Sequence, residues 1–196
     1  MIIEKYKTKE EWMEARAGRI TGTRLKDIIN KRGGSPKKGF YEIIAERICL
    51  PAGEEAAMDR GIRLEEEAID KFAKLTKKKI NKDLVIWCRE DDKNIACSPD
   101  GFIGETEILE VKCLNSASHI EAWLTKEIPS EYEYQALQPF IVNDKLKKLY
   151  FIFYDPRMPK PIFWIEVNRK DKENEIAEYL ALEREVLAKI AEIEQQ

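Results

Sequence analysis

The sequence predicts one soluble α/β domain, and three observations carry that prediction. Its 196 residues, 43% of them hydrophobic, suffice for a single sizeable core. Apolar residues recur with helical period through the first third of the chain and again over its last 26 residues. Between residues 80 and 167 strand-like runs of β-branched and aromatic residues dominate, with helical segments interposed. A disordered chain would have fewer apolar residues and more net charge, and no run approaches the ~18 apolar residues of a membrane span. Residues 1–20, MIIEKYKTKEEWMEARAGRI, are studded with charge and lack the apolar core of a secretory signal. Cys49, Cys88, Cys97 and Cys113 stand far apart with no C-x-x-C pair, which argues against a zinc ribbon or a disulfide scaffold. A reducing, cytoplasmic setting is expected.

The elements follow in order. Thr8 and Glu11 form a T-x-x-E capping box that starts a helix through about Arg16, and Gly18 is placed to end it. A second helix runs from near Thr21 to Asn30. KRGGSPKKG, with three glycines, one proline and four basic side chains, is then a flexible basic loop. FYEIIAERICL returns to helical spacing until Pro51. In EEAAMDRGIRLEEEAIDKFAKL, the residues Leu64, Ala68, Ile69 and Phe72 make the stripe of a long amphipathic helix. From Ile80 the period changes: residues 83–89 form a β-branched and aromatic run, DDKN turns, and residues 95–98, 101–103 and 108–113 are further short strands. SASHIEAWLTKE is helical. Ser130 with Glu133 forms a second capping box that opens EYEYQALQPFIV, a helix that Pro139 should kink. Residues 149–154 and 162–167 are strongly β around the turn DPRMPKP, and Ile176, Leu180, Val186, Ile190 and Ile193 mark a terminal amphipathic helix. No repeat or linker interrupts the chain. The domain therefore divides into a helical part over about 1–76, a sheet part over about 80–168 and a helix over about 171–196.

The net charge of −3 is a sum over unlike segments. Residues 1–40 carry 11 Lys and Arg against 5 Asp and Glu, whereas residues 171–196 carry 3 against 8. Binding follows local potential, so the basic first quarter is a candidate phosphate-binding face. Lys31, Arg32, Lys37 and Lys38 are candidates for non-specific contacts to a duplex backbone; a solvated loop is the competing reading.

The chemistry concentrates in Ser98-Pro99-Asp100-Gly101 and Glu110-Val111-Lys112. Side chains at i and i+2 of a strand share a face, so Glu110 and Lys112 project together while Val111 points into the core. A hairpin with its tip at Gly104-Glu105-Thr106 brings Asp100 beside Glu110. Two converging carboxylates repel unless a cation lies between them, and hard oxygen ligands suit Mg²⁺ or Mn²⁺. A lysine beside such a metal can hold a water and stabilise charge on a phosphate. The ordinary alternative is a Pro-Asp-Gly turn followed by an exposed E-x-K ion pair.

PD-x₉-E-V-K, with a helix before its three strands and a helix and strand after them, resembles the PD-(D/E)xK nuclease superfamily. More narrowly, IACSPDGFIG, LEVKC and FYDPRM together are similar to the phage lambda exonuclease and YqaJ-type viral recombinase family, from about Trp12 to Arg169. That resemblance implies a restriction-endonuclease-like core, a central mixed β-sheet flanked by helices. It implies a metal-dependent 5′→3′ exonuclease on double-stranded DNA ends that releases mononucleotides and leaves 3′ tails for recombination by single-strand annealing. A ring-shaped homotrimer and a phage annealing protein as partner are implied with it, with no membrane role. Asp100 and Glu110 match the metal-binding carboxylates, the Val111 carbonyl a backbone ligand, and Lys112 the lysine that positions the attacking water. Glu65 matches a helical glutamate completing the metal site; without the match it would be one solvated member of Glu65-Glu66-Glu67. Gln135 matches a glutamine that orients Lys112, although Leu137 stands where a second glutamine often occurs. Arg16, Thr23 and Ser98 match groups that hold the 5′-phosphate, as a guanidinium and two hydroxyls can. Met58 occupies the position of an apolar wedge against the DNA end, where core packing is the alternative, and Trp12 is a further candidate DNA contact. Rival functions are a RecB-like, Cas4-like or restriction-type nuclease on the same core, or a DNA-end-binding module without catalysis. The scattered cysteines lack the cluster a Cas4-like iron–sulfur site needs.

Overall fold

The computed structural model of the chain describes Thr8, Glu11, residues 37–49 and residues 57–194. Helix α1 (Lys38–Ile48) begins inside the segment expected to be a basic loop, because Phe40, Tyr41, Ile44 and Ala45 already follow helical spacing and Lys37 serves as its N-cap residue. Lys37 and Lys38 are exposed at this start. Tyr41, Ile44, Ala45 and Cys49 pack against Ala117, Ile120 and Met158. Near the N-terminus the Glu11 N–H donates to Thr8 Oγ1 at 3.1 Å, one arm of the expected capping box. The helices expected through Arg16 and over 21–30 lie outside the described residues.

Helix α2 (Ala57–Thr76) buries Leu64, Ala68, Ile69 and Phe72, the stripe read from the sequence. It ends where Lys77 turns left-handed at φ 59° and Thr76 Oγ1 donates to the Phe72 carbonyl at 2.7 Å. Two short strands, β1 (Trp87–Cys88) and β2 (Ala96–Cys97), pair antiparallel. The remaining strands are β3 (Gly101–Ile103), β4 (Glu107–Lys112), β5 (Lys148–Tyr154) and β6 (Ile162–Asn168). They form one mixed sheet in the order β3-β4-β5-β6, antiparallel except for the parallel pair β4 and β5. A parallel pair needs a crossover, and helices α3 (Ser116–Thr125) and α4 (Glu133–Val142) supply it. Helix α5 (Glu173–Glu194) closes the chain.

The sheet is covered on both faces. Alternation along β4 and β5 sends Leu109, Val111, Tyr150, Ile152 and Tyr154 toward α2. Ile108, Leu149, Phe151 and Phe153 point the other way, toward Phe140 and Ile141 of α4 and Ile176 of α5. No helix among the described residues is long and apolar enough to cross a membrane.

Four local expectations are corrected. In residues 83–89 only Trp87 and Cys88 are strand; Leu84 and Ile86 project into solvent, because no neighbouring edge pairs with them and β propensity alone makes no ladder. The three short strands expected over residues 95–113 are divided between two sheets, β2 pairing with β1 while β3 joins β4. Ser130 does not cap α4: it opens a 3₁₀ turn (Ser130–Tyr132) closed by the Tyr132 N–H on the Pro129 carbonyl at 2.8 Å, so Tyr132 becomes the N-cap residue and no side chain caps the helix. Pro139 does lie inside α4, buried, with its carbonyl accepting from Asn143 N–H at 3.0 Å. On α5, Val186 is exposed and Leu187 packs against the core instead. Ten residues after Ile176 a helix has turned well away from the stripe, whereas eleven nearly close three turns. Ile190 and Ile193 lie outside the residues whose side chains are described.

Candidate active site

The β3–β4 hairpin builds the site. Its tip is Gly104-Glu105-Thr106, with Gly104 at φ 57°, a conformation that side chains disfavour and glycine adopts freely. The register Gly101↔Leu109 sets Asp100 against Glu110. Two bonds lock the carboxylate there: Asp100 N–H donates to the Leu109 carbonyl at 3.3 Å, and Val111 N–H donates to Asp100 Oδ2 at 2.6 Å. Val111 itself is buried under α2. Glu110 and Lys112 share the opposite face, and Lys112 Nζ lies 2.7 Å from Glu110 Oε1. The same ammonium stands 5.3 Å from the centre of the Tyr132 ring.

Glu65 joins from α2. Its neighbours on the helix, Leu64 and Ala68, are fixed in the core, which leaves Glu65 half-buried at the edge of the stripe. The three carboxylates sense one another. Burial, reinforced by Asp100 and Glu65 and opposed by Lys112, pushes Glu110 up to about 7. Burial also raises Asp100, against the pull of the Val111 N–H and Lys112. Glu65 is raised by burial and then by the Asp100 charge. A cleft of about 600 Å³ is lined by Glu65, Glu66 and Asp100 together with residues 82–86.

This donor set fits a hard divalent cation. Its members are carboxylate oxygens, and their negative charges disfavour one another without a counter-charge. Asp100 and Glu110 each commit an oxygen to a protein donor, and among the described residues no group of three His, Cys, Asp or Glu side chains stands as a ready metal cage.

The other candidates are dispersed. Ser98 is exposed and lines the cleft beside Asp100. Gln135 sits exposed in the first turn of α4, and the group facing Lys112 is Tyr132, which the sequence does not single out because the 3₁₀ turn that presents it has the pattern of a capping box. Gln138 reaches the Ala96 carbonyl and Glu183, each at 3.4 Å, while Leu137 is buried in the core. Arg16, Thr23, Trp12, Lys31 and Arg32 lie outside the described residues; Met58 is in α2, but its side chain is not among those described. Cys97 and Cys113 pack as small apolar groups, and burial followed by Glu110 holds the Cys97 thiol up to about 12.

A second polar cluster also escaped the sequence reading. The turn DPRM after β5 places Asp155, fully buried, so that its Oδ2 accepts from Ser116 Oγ at 2.5 Å and from Arg157 at 2.7 Å. His119, buried on α3, packs edge-on to Phe163 with ring centres 4.9 Å apart. The D-P-R string was legible as a turn; its partner Ser116, 39 residues earlier, was not.

A mixed sheet covered by helices on both faces, with Asp, Glu and Lys gathered on one hairpin, defines a nuclease core of the PD-(D/E)xK kind. The chain belongs to the YqaJ-like viral recombinase domain family, whose model matches residues 11–145. It is similar along nearly its whole length to an alkaline exonuclease, LHK-Exo from Laribacter hongkongensis, at 27% identity and a TM-score of 0.58, covering 95% of this chain and 97% of that one. The structure of LHK-Exo in complex with dAMP matches over the same shares at 28% identity and a TM-score of 0.61. No curated protein matches the chain. Family and structural likeness place it among the exonucleases in general terms.

Proposed function

We propose that the chain is a metal-dependent 5′→3′ exonuclease that acts on double-stranded DNA ends, releases mononucleotides and leaves 3′ single-stranded tails for recombination by single-strand annealing. The observation that supports this most is the convergence of Asp100, Glu110 and Lys112 on one hairpin, with Glu65 half-buried within the field of Asp100. The relative LHK-Exo binds dAMP, a mononucleotide of the product class proposed. Asp100, Glu110, the Val111 carbonyl and Glu65 would hold Mg²⁺ or Mn²⁺, and the bound ion would neutralise the scissile phosphate and acidify a water.

The protein's own groups do the rest. Lys112, held by Glu110 at 2.7 Å, orients the attacking water and donates to a phosphate oxygen as negative charge develops. Tyr132 limits where its ammonium can swing. Arg16, Thr23 and Ser98 anchor the terminal 5′-phosphate, so cleavage falls one nucleotide in. Gln135 would steady Lys112 after a rotation of its exposed side chain. Trp12, Lys31, Arg32, Lys37, Lys38 and Met58 would contact the duplex. We extend the proposal to a homotrimeric ring around DNA, working in the host cytoplasm with a phage annealing protein.

Digestion of three substrates tests the reading: linear duplex with 5′-phosphate, linear duplex with 5′-hydroxyl and covalently closed circles, each with Mg²⁺ and with EDTA. Stepwise release of mononucleotides from phosphorylated linear ends, with Mg²⁺ only, is expected. Cleavage of closed circles or activity in EDTA would sink it, and equal use of both linear ends would remove the phosphate anchor.

A further inference from the structure

The cleft beside Asp100 has a second wall that the chemistry above leaves unused. Leu84, Val85 and Ile86 line it together with Glu65 and Asp100. Leu84 is fully exposed and Ile86 largely so. Scattered apolar residues on a surface need no explanation. These two occur at i and i+2 of one extended segment, inside the same cleft as the carboxylates. The segment is also positioned. At one end Asn81 exchanges two backbone bonds with Phe102, at 2.9 and 3.0 Å, two residues from Asp100. At the other, Trp87 pairs with Cys97 and packs edge-on to Phe102 with ring centres 5.5 Å apart. The apolar pair is therefore registered to strand β3, which begins one residue after Asp100.

We propose that Leu84 and Ile86 form the wall against which the sugar and base of the departing nucleotide rest while its phosphodiester lies at Asp100 and Glu110. This rests on the exonuclease reading and names how the substrate is held. A nucleotide joins a phosphate to a base with apolar faces by a short sugar, so a phosphate placed at Asp100 leaves its base within reach of the apolar part of the same cleft. Aliphatic side chains do this work elsewhere, packing against or between bases. Lys82, the cation among the residues lining the cleft, sits 2.8 Å from Asp70 and 3.6 Å from Glu66 at the same wall, where an adjoining phosphate of the strand can compete for it. A second copy of the chain docked on Leu84 and Ile86 would instead cover Asp100 and Glu65 and close the site.

The test combines the double variant Leu84→Ser, Ile86→Ser with duplexes whose 5′-terminal nucleotide either carries its base or is abasic. Both side chains face solvent, so thermal unfolding should match the parent. The parent is expected to lose about tenfold in kcat/KM on the abasic end, the scale of one base contact. The variant should show that loss on normal ends and little further loss on abasic ones. Parent-like kcat/KM in the variant, or two losses that simply multiply, overturns the wall while the exonuclease reading stands. A changed assembly mass with base sensitivity retained would make the patch an interface between copies and also overturn it. If the parent degrades no linear duplex, the exonuclease reading fails as well.

Discussion

Protonating His119 should destabilise the fold from inside. The residue is 1% exposed, and Nδ1 has no hydrogen-bond partner among the described residues. Burial, helped by Arg157 and opposed by Asp155, lowers it from an ordinary 6.5 to about 4. Between those two values the unfolded chain binds a proton that the folded chain refuses, so stability is complete above pH 6.5 and falls as the pH drops toward 4. The full difference is about 3 kcal/mol, of which about 2 kcal/mol should disappear between pH 7 and pH 5. The measurement is urea unfolding of the parent and of His119→Leu at several pH values in that range. Other carboxylates tilt both curves alike, so the difference between the two slopes isolates His119. The variant should lose about 2 kcal/mol less than the parent across the window. Equal slopes would show that the imidazole is either accessible to water or matched by a partner, and would refute the account of the α3 packing.

Three further outcomes are expected. Lys112→Ala should lower cleavage at least ~10²-fold while DNA-end binding, followed by gel shift, persists; undiminished turnover would remove Lys112 from the chemistry. Asp155→Ala leaves the half-buried Arg157 guanidinium without its carboxylate and should cost about 3 kcal/mol or more in urea unfolding, whereas a loss below about 1 kcal/mol would mark the cluster as solvent-screened. Gly104→Ala meets no atom within 4 Å, so its cost is the left-handed backbone alone, about 1 kcal/mol by thermal unfolding with activity nearly retained.

Much of the site was legible because its logic is local. The i, i+2 spacing of Glu110 and Lys112, the glycine that tips the hairpin and the ten-residue return from Asp100 all act within one supersecondary unit. Glu65 was less so: by spacing alone it is one of three adjacent glutamates, and only the packing of Leu64 and Ala68 against the sheet selects it. Tyr132 was hidden by a misread cap, and Leu84 and Ile86 by a β pattern with no edge to pair with.

Sequence by itself determined the periods: the α2 stripe, the two long strands β5 and β6, the turn at Gly104 and the side of β4 on which each residue stands. These follow from backbone geometry and short-range sterics, which a few neighbouring residues suffice to set. Tertiary structure alone decided which groups meet across long stretches of chain. It brought Glu65 into the field of Asp100, buried Asp155 against Ser116 and left apolar side chains in the lining of a carboxylate cleft. Such meetings depend on how whole layers pack, and burial then alters the groups themselves, lifting Glu110 and lowering His119.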